Sequence, residues 1–184
     1  MLLKCATMLL ALALCLTVGG MAEAFQLDEG LTWASTPEEA VAWLGEDATF
    51  QENTDEDLGK LGLVSKDNLE YAGLSCGRVA IIYYNDAMVY ATFYFTSEAA
   101  GEDMSKLVEA VKGRLGEPEY VELSQDAEMP ESFESMRVHC QWTPDDTTHA
   151  SVLEVTEEGY PFLCGLFFEN LPVEDQLKIA MEVE

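Results

Sequence analysis

The sequence predicts an α+β fold in which short helices pack on an antiparallel sheet. Two helical segments each end in Leu-Gly-Glu, and each is followed by several strand-like runs separated by turn residues. This order also predicts a two-fold helix-plus-strands pseudo-repeat over about residues 33–97 and 98–170. Hydrophobic residues make up 48% of the chain, which is enough for one packed domain over residues 25–184.

The first helix is predicted from its start and stop signals. Thr36 is a favourable N-cap, Pro37 takes the first helical position, and Glu39 completes a capping box. Leu44 supplies an apolar contact in the last turn. Gly45 should end the helix, because glycine readily adopts the left-handed conformation found at helix ends.

The second helix is predicted from apolar residues at helical spacing. These residues are Met104, Leu107, Val108, Val111 and Leu115. Gly116 and Pro118 follow as stop signals, so the second helix repeats the plan of the first.

Runs of β-branched and aromatic residues predict the strands. The predicted strands are 69–74, 78–84 and 88–95 after the first helix, and 120–123, 136–143, 150–155 and 162–168 after the second. A short closing helix is predicted over residues 173–181, with Leu177, Ala180 and Met181 facing inward.

Residues 78–95 predict a β-hairpin that turns at the Asn-Asp pair 85–86. A two-residue turn would place Ile81 opposite Tyr90, whereas a three-residue loop would place Ile82 there. Both registers remain open at the level of sequence.

In either register, side chains alternate between the two faces of the second hairpin strand. The face without hydroxyl groups is the predicted core face, and it carries Val89, Ala91, Phe93 and Phe95. The other face carries the candidate binding residues Met88, Tyr90 and Tyr94, since tyrosine suits protein or sugar contact. The alternative is an ordinary half-exposed face or a second core layer.

The first 24 residues have the pattern of a secretory signal peptide. Lys4 precedes an uncharged apolar run at 6–18, and the A-x-A site at 22–24 predicts a mature chain that begins at Phe25. A retained membrane helix is disfavoured because the run is shorter than the about 20 residues of a span. Lipid attachment at Cys15 is disfavoured because a bulky leucine precedes it. We therefore expect a secreted or extracytoplasmic protein.

The chain is strongly acidic, with 35 Asp and Glu against 9 Lys and Arg and a net charge of −26. Such a surface repels nucleic-acid phosphates and anionic lipid headgroups. We therefore expect no nucleic-acid partner, and no membrane span after cleavage of the signal. The charge favours cationic partners or simply solubility. The expected partner is an unknown protein or cell-envelope ligand, without a cofactor.

Three cysteines lie beyond the signal peptide: Cys76, Cys140 and Cys164. Three single disulfide pairings are possible, and buried thiols are the commoner outcome. The chain has no C-x-x-C motif and only 2 histidines, so no structural zinc site is expected. His139 and Cys140 are neighbours that point to opposite faces of a strand, so they cannot act as a catalytic pair.

Residues 73–77 read GLSCG and fit the G-x-S-x-G pattern of a hydrolase nucleophile elbow. A nucleophile elbow requires a helix after the serine, but the strand-like run RVAIIYY follows here. We therefore expect Ser75 to lie in a bend between two strands and to have no catalytic role.

Residues 53–57 alternate oxygen-bearing side chains, as a calcium-binding loop does. The pattern then fails, because Leu58 replaces the required glycine and Val64 replaces the final glutamate. We expect a solvated acidic loop, with no strong metal site. The weak calcium candidates are Asp55, Glu56 and Asp57.

The first helix resembles the opening of small outer-membrane lipoprotein (BamE-like) modules. The residues that carry this likeness are Trp33, Thr36, Glu39, Leu44 and Gly45. The tandem helix-plus-sheet halves are similar to the arrangement in β-lactamase-inhibitor proteins. These resemblances cover the first helix and its copy, and they imply a secreted protein-binding module rather than an enzyme. The chain differs from the outer-membrane family in lacking a convincing lipidation cysteine.

The leading hypothesis is therefore a secreted, non-catalytic binding module whose sheet face near Tyr90 and Tyr94 contacts the ligand. The alternative is a thiol-dependent extracytoplasmic enzyme that uses a cysteine and a histidine brought together by the fold.

Overall fold

A computed structural model describes residues 25–55, 58–96, 100–120, 133–157 and 160–182. The predicted signal peptide therefore lies outside the described residues, as do Glu56 and Asp57. In chain order the elements are β1 (Gln26–Asp28), β2 (Leu31–Thr32), α1 (Pro37–Leu44), β3 (Thr49–Asp55), β4 (Gly59–Tyr71), β5 (Leu74–Tyr84), β6 (Ala87–Thr96), α2 (Ala100–Leu115), β7 (Glu119–Tyr120), β8 (Phe133–Asp145), β9 (Thr148–Glu157), β10 (Tyr160–Asn170) and α3 (Leu171–Glu182).

Across the described ranges, eight strands form one sheet in the order β3-β4-β5-β6-β10-β9-β8-β7. Each neighbouring pair is antiparallel. Strands β3 to β6 form one meander and β7 to β10 form another, and the two meanders meet where β6 pairs with β10. The predicted class, helices with an antiparallel sheet, is confirmed, while the pseudo-repeat stays a prediction.

The predicted helix signals act as expected. The Glu39 amide donates to Thr36 Oγ1 (3.3 Å), and the Thr36 amide donates to Glu39 Oε2 (2.8 Å), which completes the capping box. Gly45 follows α1 with φ +77°, and Gly116 follows α2 with φ +85°. Both glycines therefore adopt backbone conformations that other residues rarely take at a helix end.

Helices α1 and α2 pack on the same face of the sheet, around Phe93. Trp43 of α1 meets the Phe93 ring edge-on, with 6.4 Å between ring centroids. Arg114 of α2 donates to the Tyr71 hydroxyl, and the Tyr71 ring stacks on Phe93 at 4.0 Å. The predicted core face of β6 is confirmed, because all four of its residues are buried: Val89, Ala91, Phe93 and Phe95.

The hairpin turn at residues 85–86 is confirmed, but a register shift follows it. Tyr83 pairs with Met88, as a two-residue turn requires, whereas Ile82 pairs with Tyr90. Met88 is fully buried within the core cluster. The expectation that Met88 shares an outer face with Tyr90 is therefore wrong, because the bulge interrupts the strict alternation of side chains.

Strand β3 replaces the acidic loop that the sequence predicts. Thr49–Asp55 pairs with β4, and all seven of its residues are exposed. Its side chains lack the alternation of apolar residues by which strands are found in sequence, and polar edge strands are common in native sheets. At the end of β3, the Asp55 carboxylate accepts a hydrogen bond from the Leu58 amide (3.0 Å).

The closing helix extends from Leu171 to Glu182. Leu177 and Ala180 are half-buried, but Met181 is 58% exposed, so its predicted inward position is wrong. Glu174 is buried instead, because its carboxylate accepts a hydrogen bond from Tyr90 on β6 (3.1 Å). Since Tyr90 alternates with the core residue Ala91, α3 meets the sheet on the face opposite α1 and α2.

Candidate functional site: the open face of the sheet

The open face of the sheet consists of strand residues that point away from α1 and α2. Strand pairing aligns them in three rows that cross the sheet. The central row contains Thr49, Ser65, Ala80, Thr92, Phe167, Ser151 and Gln141. The Tyr90 row contains Gln51, Leu63, Ile82, Tyr90, Glu169 and His149. The Tyr94 row contains Asp67, Arg78, Tyr94, Gly165 and Leu153.

The side chains of the central row are mostly small. Five consecutive strands of the sheet, β4, β5, β6, β10 and β9, contribute Ser65, Ala80, Thr92, Phe167 and Ser151 to it. Adjacent rows lie about 7 Å apart along the strands, and neighbouring strands are about 4.8 Å apart. Thr92 is only 4% exposed and Ser151 only 6%. Helix α3 contacts β6 and β10, the strands that carry Thr92 and Phe167.

An aromatic pair joins the central row to the Tyr94 row. Phe167 belongs to the central row, but its ring lies over Gly165, where an added Cβ would overlap it. The same ring meets Tyr94 edge-on, with centroids 5.7 Å apart. Glycine at position 165 therefore lets the Phe167 ring lie toward the Tyr94 row.

A polar network borders the Tyr90 row, where α3 reaches the sheet. Glu174 accepts from the Tyr90 hydroxyl and pairs with Lys178 (2.8 Å). On the neighbouring strands His149 Nδ1 and Glu169 Oε2 lie 2.5 Å apart. Burial and the adjacent Glu174 carboxylate raise the pKa of Tyr90, so the hydroxyl remains a donor. The Tyr90 hydroxyl thus has a partner within the chain, rather than facing solvent or a ligand as expected.

The His149–Glu169 pair should make stability depend on pH. The hydrogen bond to Glu169 raises the pKa of His149, and partial burial opposes this shift. A histidine whose pKa is raised on folding stabilises the folded state fully below its unfolded pKa of about 6.5. This contribution is lost as the pH rises through the higher pKa of the folded state.

We expect His149→Gln to lower the urea midpoint more at about pH 5.5 than at about pH 9. The charged pair exists only at the lower pH, so only there does the substitution remove it. Urea unfolding at the two pH values measures this difference. An equal loss at both would show that the charge on His149 contributes nothing to folding.

Ser75 lies inside β5 and is exposed, so its predicted place in a bend is wrong. The turn falls earlier, at Ala72 and Gly73, which both have positive φ. Ser75 lines a surface depression of about 360 Å³ beside Glu70. The two histidines that a catalytic triad could use pair with Glu154 and Glu169 instead. The described residues therefore contain no catalytic arrangement around Ser75.

The three cysteines are buried thiols. Cys76 Sγ lies within hydrogen-bonding distance of the Arg78 and Tyr94 carbonyls (3.1 and 3.3 Å). Burial raises the pKa of Cys76 and of Cys140 to about 11. Both thiols are therefore protonated at neutral pH, and a protonated thiol is a poor nucleophile.

Within the described parts of the chain, no three His, Cys, Asp or Glu side chains are grouped to hold a metal ion. The calcium candidate Asp55 caps the amide of Leu58, and nearby Glu52 pairs with Lys60 (2.8 Å). The other two candidates, Glu56 and Asp57, lie outside the described residues.

The open face is a broad surface rather than a cavity. The depression at Ser75 and a second one of about 550 Å³ beside Trp43 both lie away from it. Small-molecule sites are concave and enclose most of their ligand, whereas macromolecular interfaces are wide and shallow. The shape of the open face therefore suits a macromolecule.

Sequence analysis found Tyr90 and Tyr94 but missed most of the residues that share their surface. Thr92 is visible in the alternation of β6, whereas Phe167 and Ser151 join it only through strand pairing. The alternation within β10 could have marked Phe167 as a residue of an outer face. Nothing in the sequence could have shown which strand lies beside it.

No protein-family model, curated protein or solved structure matches this chain. Among the described residues, no helix combines the length and the apolar character that crossing a bilayer requires.

Proposed function

We propose that this protein is a secreted, non-catalytic binding module that holds a protein of the cell envelope or its surroundings on the open face. The observation that carries the proposal is the aromatic and aliphatic surface around the central row. Leu63, Ile82, Tyr94 and Phe167 lie there half-buried, outside the core cluster. Aromatic side chains are enriched in the buried centres of protein interfaces.

The alternative, a thiol-dependent enzyme, has less support. Such an enzyme needs an accessible thiolate beside a base. Here the three cysteines that the structure describes are buried, and His139 and His149 each pair with a glutamate. A binding module requires only the exposed surface that the open face provides.

We also propose that the two meanders are copies of one helix-plus-sheet unit. Each follows a helix that ends in Leu-Gly-Glu, and their last strands, β6 and β10, pair antiparallel at the centre of the sheet. Such a duplication would relate the two halves by an approximate two-fold axis between those strands. A duplicated unit would make the open face one continuous surface built from both halves.

Processing between Ala24 and Phe25 is the expected result of export, because the A-x-A site follows a short apolar run. The intact mass of the exported protein measures it. A protein that retains its N-terminus or carries a lipid on Cys15 would contradict extracytoplasmic release.

The proposed function is tested by cross-linked capture from the native envelope and medium. Immobilised wild-type protein is compared with Tyr94→Ser and Phe167→Ser, which truncate the aromatic pair. The matched control is Ile179→Ser, since Ile179 is a large apolar residue on α3 that is 63% exposed. The control separates the open face from general hydrophobic adhesion.

Wild type and Ile179→Ser should capture equal amounts of the partner. The two open-face variants should capture at least about tenfold less, because truncation of an aromatic hot spot removes a large share of the binding free energy. Thermal melts of each variant confirm that it is folded. Equal capture by all four proteins would refute the open face as the binding surface.

A further inference from the structure

A surface depression of about 550 Å³ lies between α1 and the chain that leads into it from the β1–β2 hairpin. Its volume falls within the range of about 300–1,000 Å³ that is usual for ligand sites. The depression exists because three of its lining residues are small, namely Gly30, Ala34 and Ala42. Gly30 has φ +84°, a backbone conformation in which a larger residue would be strained.

The indole of Trp43 forms part of the wall and is held in a fixed orientation. Its Nε1 donates a hydrogen bond to the Glu29 carbonyl (3.0 Å), and its ring stands at 89° to the buried ring of Phe93. Trp43 is half-buried, and it reaches the surface in the depression. A side chain that is already fixed loses little entropy when a ligand binds to it.

The Glu39 carboxylate lines the same depression without a cationic partner. Glu39 lies one helical turn before Trp43, so the two side chains share one face of α1, with about 5–6 Å between their Cβ atoms. Among the described residues, no Lys, Arg or His side chain pairs with Glu39. Its Oε2 accepts from the Thr36 amide (2.8 Å), but a carboxylate can accept about four hydrogen bonds. Glu39 therefore retains both its charge and free acceptor sites.

The hydroxyl groups of the depression are used within the chain. Ser35 Oγ accepts from the Thr32 amide (3.1 Å), and Thr32 Oγ1 accepts from the Ala34 amide (3.3 Å). These bonds stabilise the turn before α1. Recognition of a ligand is thus left to the indole of Trp43 and the carboxylate of Glu39, and no basic residue lines the depression among the described residues.

A carboxylate one turn from an indole suits a guanidinium group. Tryptophan is the aromatic side chain that attracts cations most strongly. A guanidinium group is planar, stacks on aromatic rings and donates parallel hydrogen bonds to a carboxylate, whereas an ammonium group acts as a compact point charge. The net charge of −26 also raises the local concentration of cationic ligands.

We propose that this depression binds an arginine side chain of a partner protein, with its guanidinium group against Trp43 and its N–H groups donating to Glu39. The site lies on the side of the sheet that carries α1, away from the open face. It is therefore a second contact site, and its test does not depend on the open face.

The test uses the exported protein and arginine blocked at both ends, N-acetyl-arginine N-methylamide. The blocked citrulline analogue is the matched control ligand, because a neutral urea replaces the guanidinium group at nearly the same shape. The blocked lysine analogue keeps the charge without the planar fork. Free arginine carries its own carboxylate, which the acidic surface repels. Titrations followed by the indole N–H resonance of Trp43, one of three tryptophans in the chain, give the dissociation constants.

Blocked arginine should shift the Trp43 indole resonance and bind at least about tenfold more tightly than the citrulline analogue, because the neutral group loses both the cation–π contact and the charge-assisted bonds. The lysine analogue and free arginine should bind more weakly than blocked arginine. Raising the salt concentration should weaken the binding of blocked arginine, since the depression is open to solvent.

Glu39→Gln should weaken the binding of blocked arginine at least about fivefold, because it removes the charge of the acceptor. Glutamine also completes a capping box, so this variant keeps α1 intact, and a thermal melt checks that it is folded. Glu38→Gln is the matched control. It removes an exposed carboxylate from the same helical turn but outside the depression, and it should bind like wild type.

Equal losses for Glu39→Gln and Glu38→Gln would overturn the proposal, because the overall charge of the chain would then explain the binding. Equal binding of the citrulline or the lysine analogue would show that the site does not recognise a guanidinium group. Binding that leaves the Trp43 resonance unchanged would place the ligand elsewhere. Tighter binding of free arginine would indicate an amino-acid site rather than a contact with a partner protein. Any of these results, or no binding of blocked arginine, refutes the proposal.

Discussion

Phe93→Ala is expected to lower the free energy of unfolding by about 3–5 kcal/mol, as removal of a large buried aromatic side chain does. The Phe93 ring is fully buried and meets three other rings, those of Trp43, Tyr71 and Phe168. These rings come from α1, β4 and β10, so the cavity would loosen contacts among elements from both halves of the chain. Urea unfolding followed by circular dichroism measures the loss.

The neighbouring residue Tyr94 supplies the control, because it lies on the same strand but on the open face. Tyr94→Ser should cost only about 1–2 kcal/mol, from the edge-on contact with Phe167 and the lower strand propensity of serine. If both variants unfold at the same urea concentration, the open face is as tightly packed as the core. The proposed contact surface would then lose its physical basis.

Arg114→Met should destabilise the protein by about 2–3 kcal/mol, because hydrogen bonds to charged groups contribute more than neutral ones. Arg114 donates to the Tyr71 hydroxyl (2.5 Å) and to the Leu27 carbonyl (2.6 Å). It therefore ties α2 to the β1–β2 hairpin and to the core ring that stacks on Phe93. Burial raises the pKa of Tyr71 to about 12, so the phenol stays neutral as it accepts this bond. Urea unfolding again measures the change.

Lys112→Met is the matched control for Arg114, since it removes a positive charge from the same turn of α2. Lys112 pairs with Glu117 (2.9 Å), whose side chain is largely exposed. Exposed ion pairs typically contribute at most about 1 kcal/mol, so this variant should stay close to wild type. Similar losses of unfolding free energy for both variants would mean that a positive charge in this turn of α2, rather than the hydrogen bonds of Arg114, stabilises the region.

Some features of this protein follow from the sequence itself because their causes are local. The capping box of α1 needs only Thr36 and Glu39 three residues apart, and the helix ends need only Gly45 and Gly116. The core face of β6 follows from the two-residue alternation of its side chains, and every predicted member is buried.

Other features were decided only by the tertiary structure. The bulge beside Tyr83 buries Met88, although alternation places it outward, because pairing with a second strand sets the register. Strand β3 forms although its residues are polar, since β4 supplies the backbone partners. Glu174 is buried because the Tyr90 hydroxyl and Lys178 satisfy its carboxylate, which no helical pattern reveals.

The candidate site shows the same division. Alternation marks Tyr90, Thr92 and Tyr94 as one face, and the sequence thus locates one strand of the surface. The central row exists only because β6 pairs with β10, and β10 with β9, which brings Phe167 and Ser151 beside Thr92. Such contacts join residues far apart in the chain and depend on the free energy of the whole fold, so no local pattern encodes them.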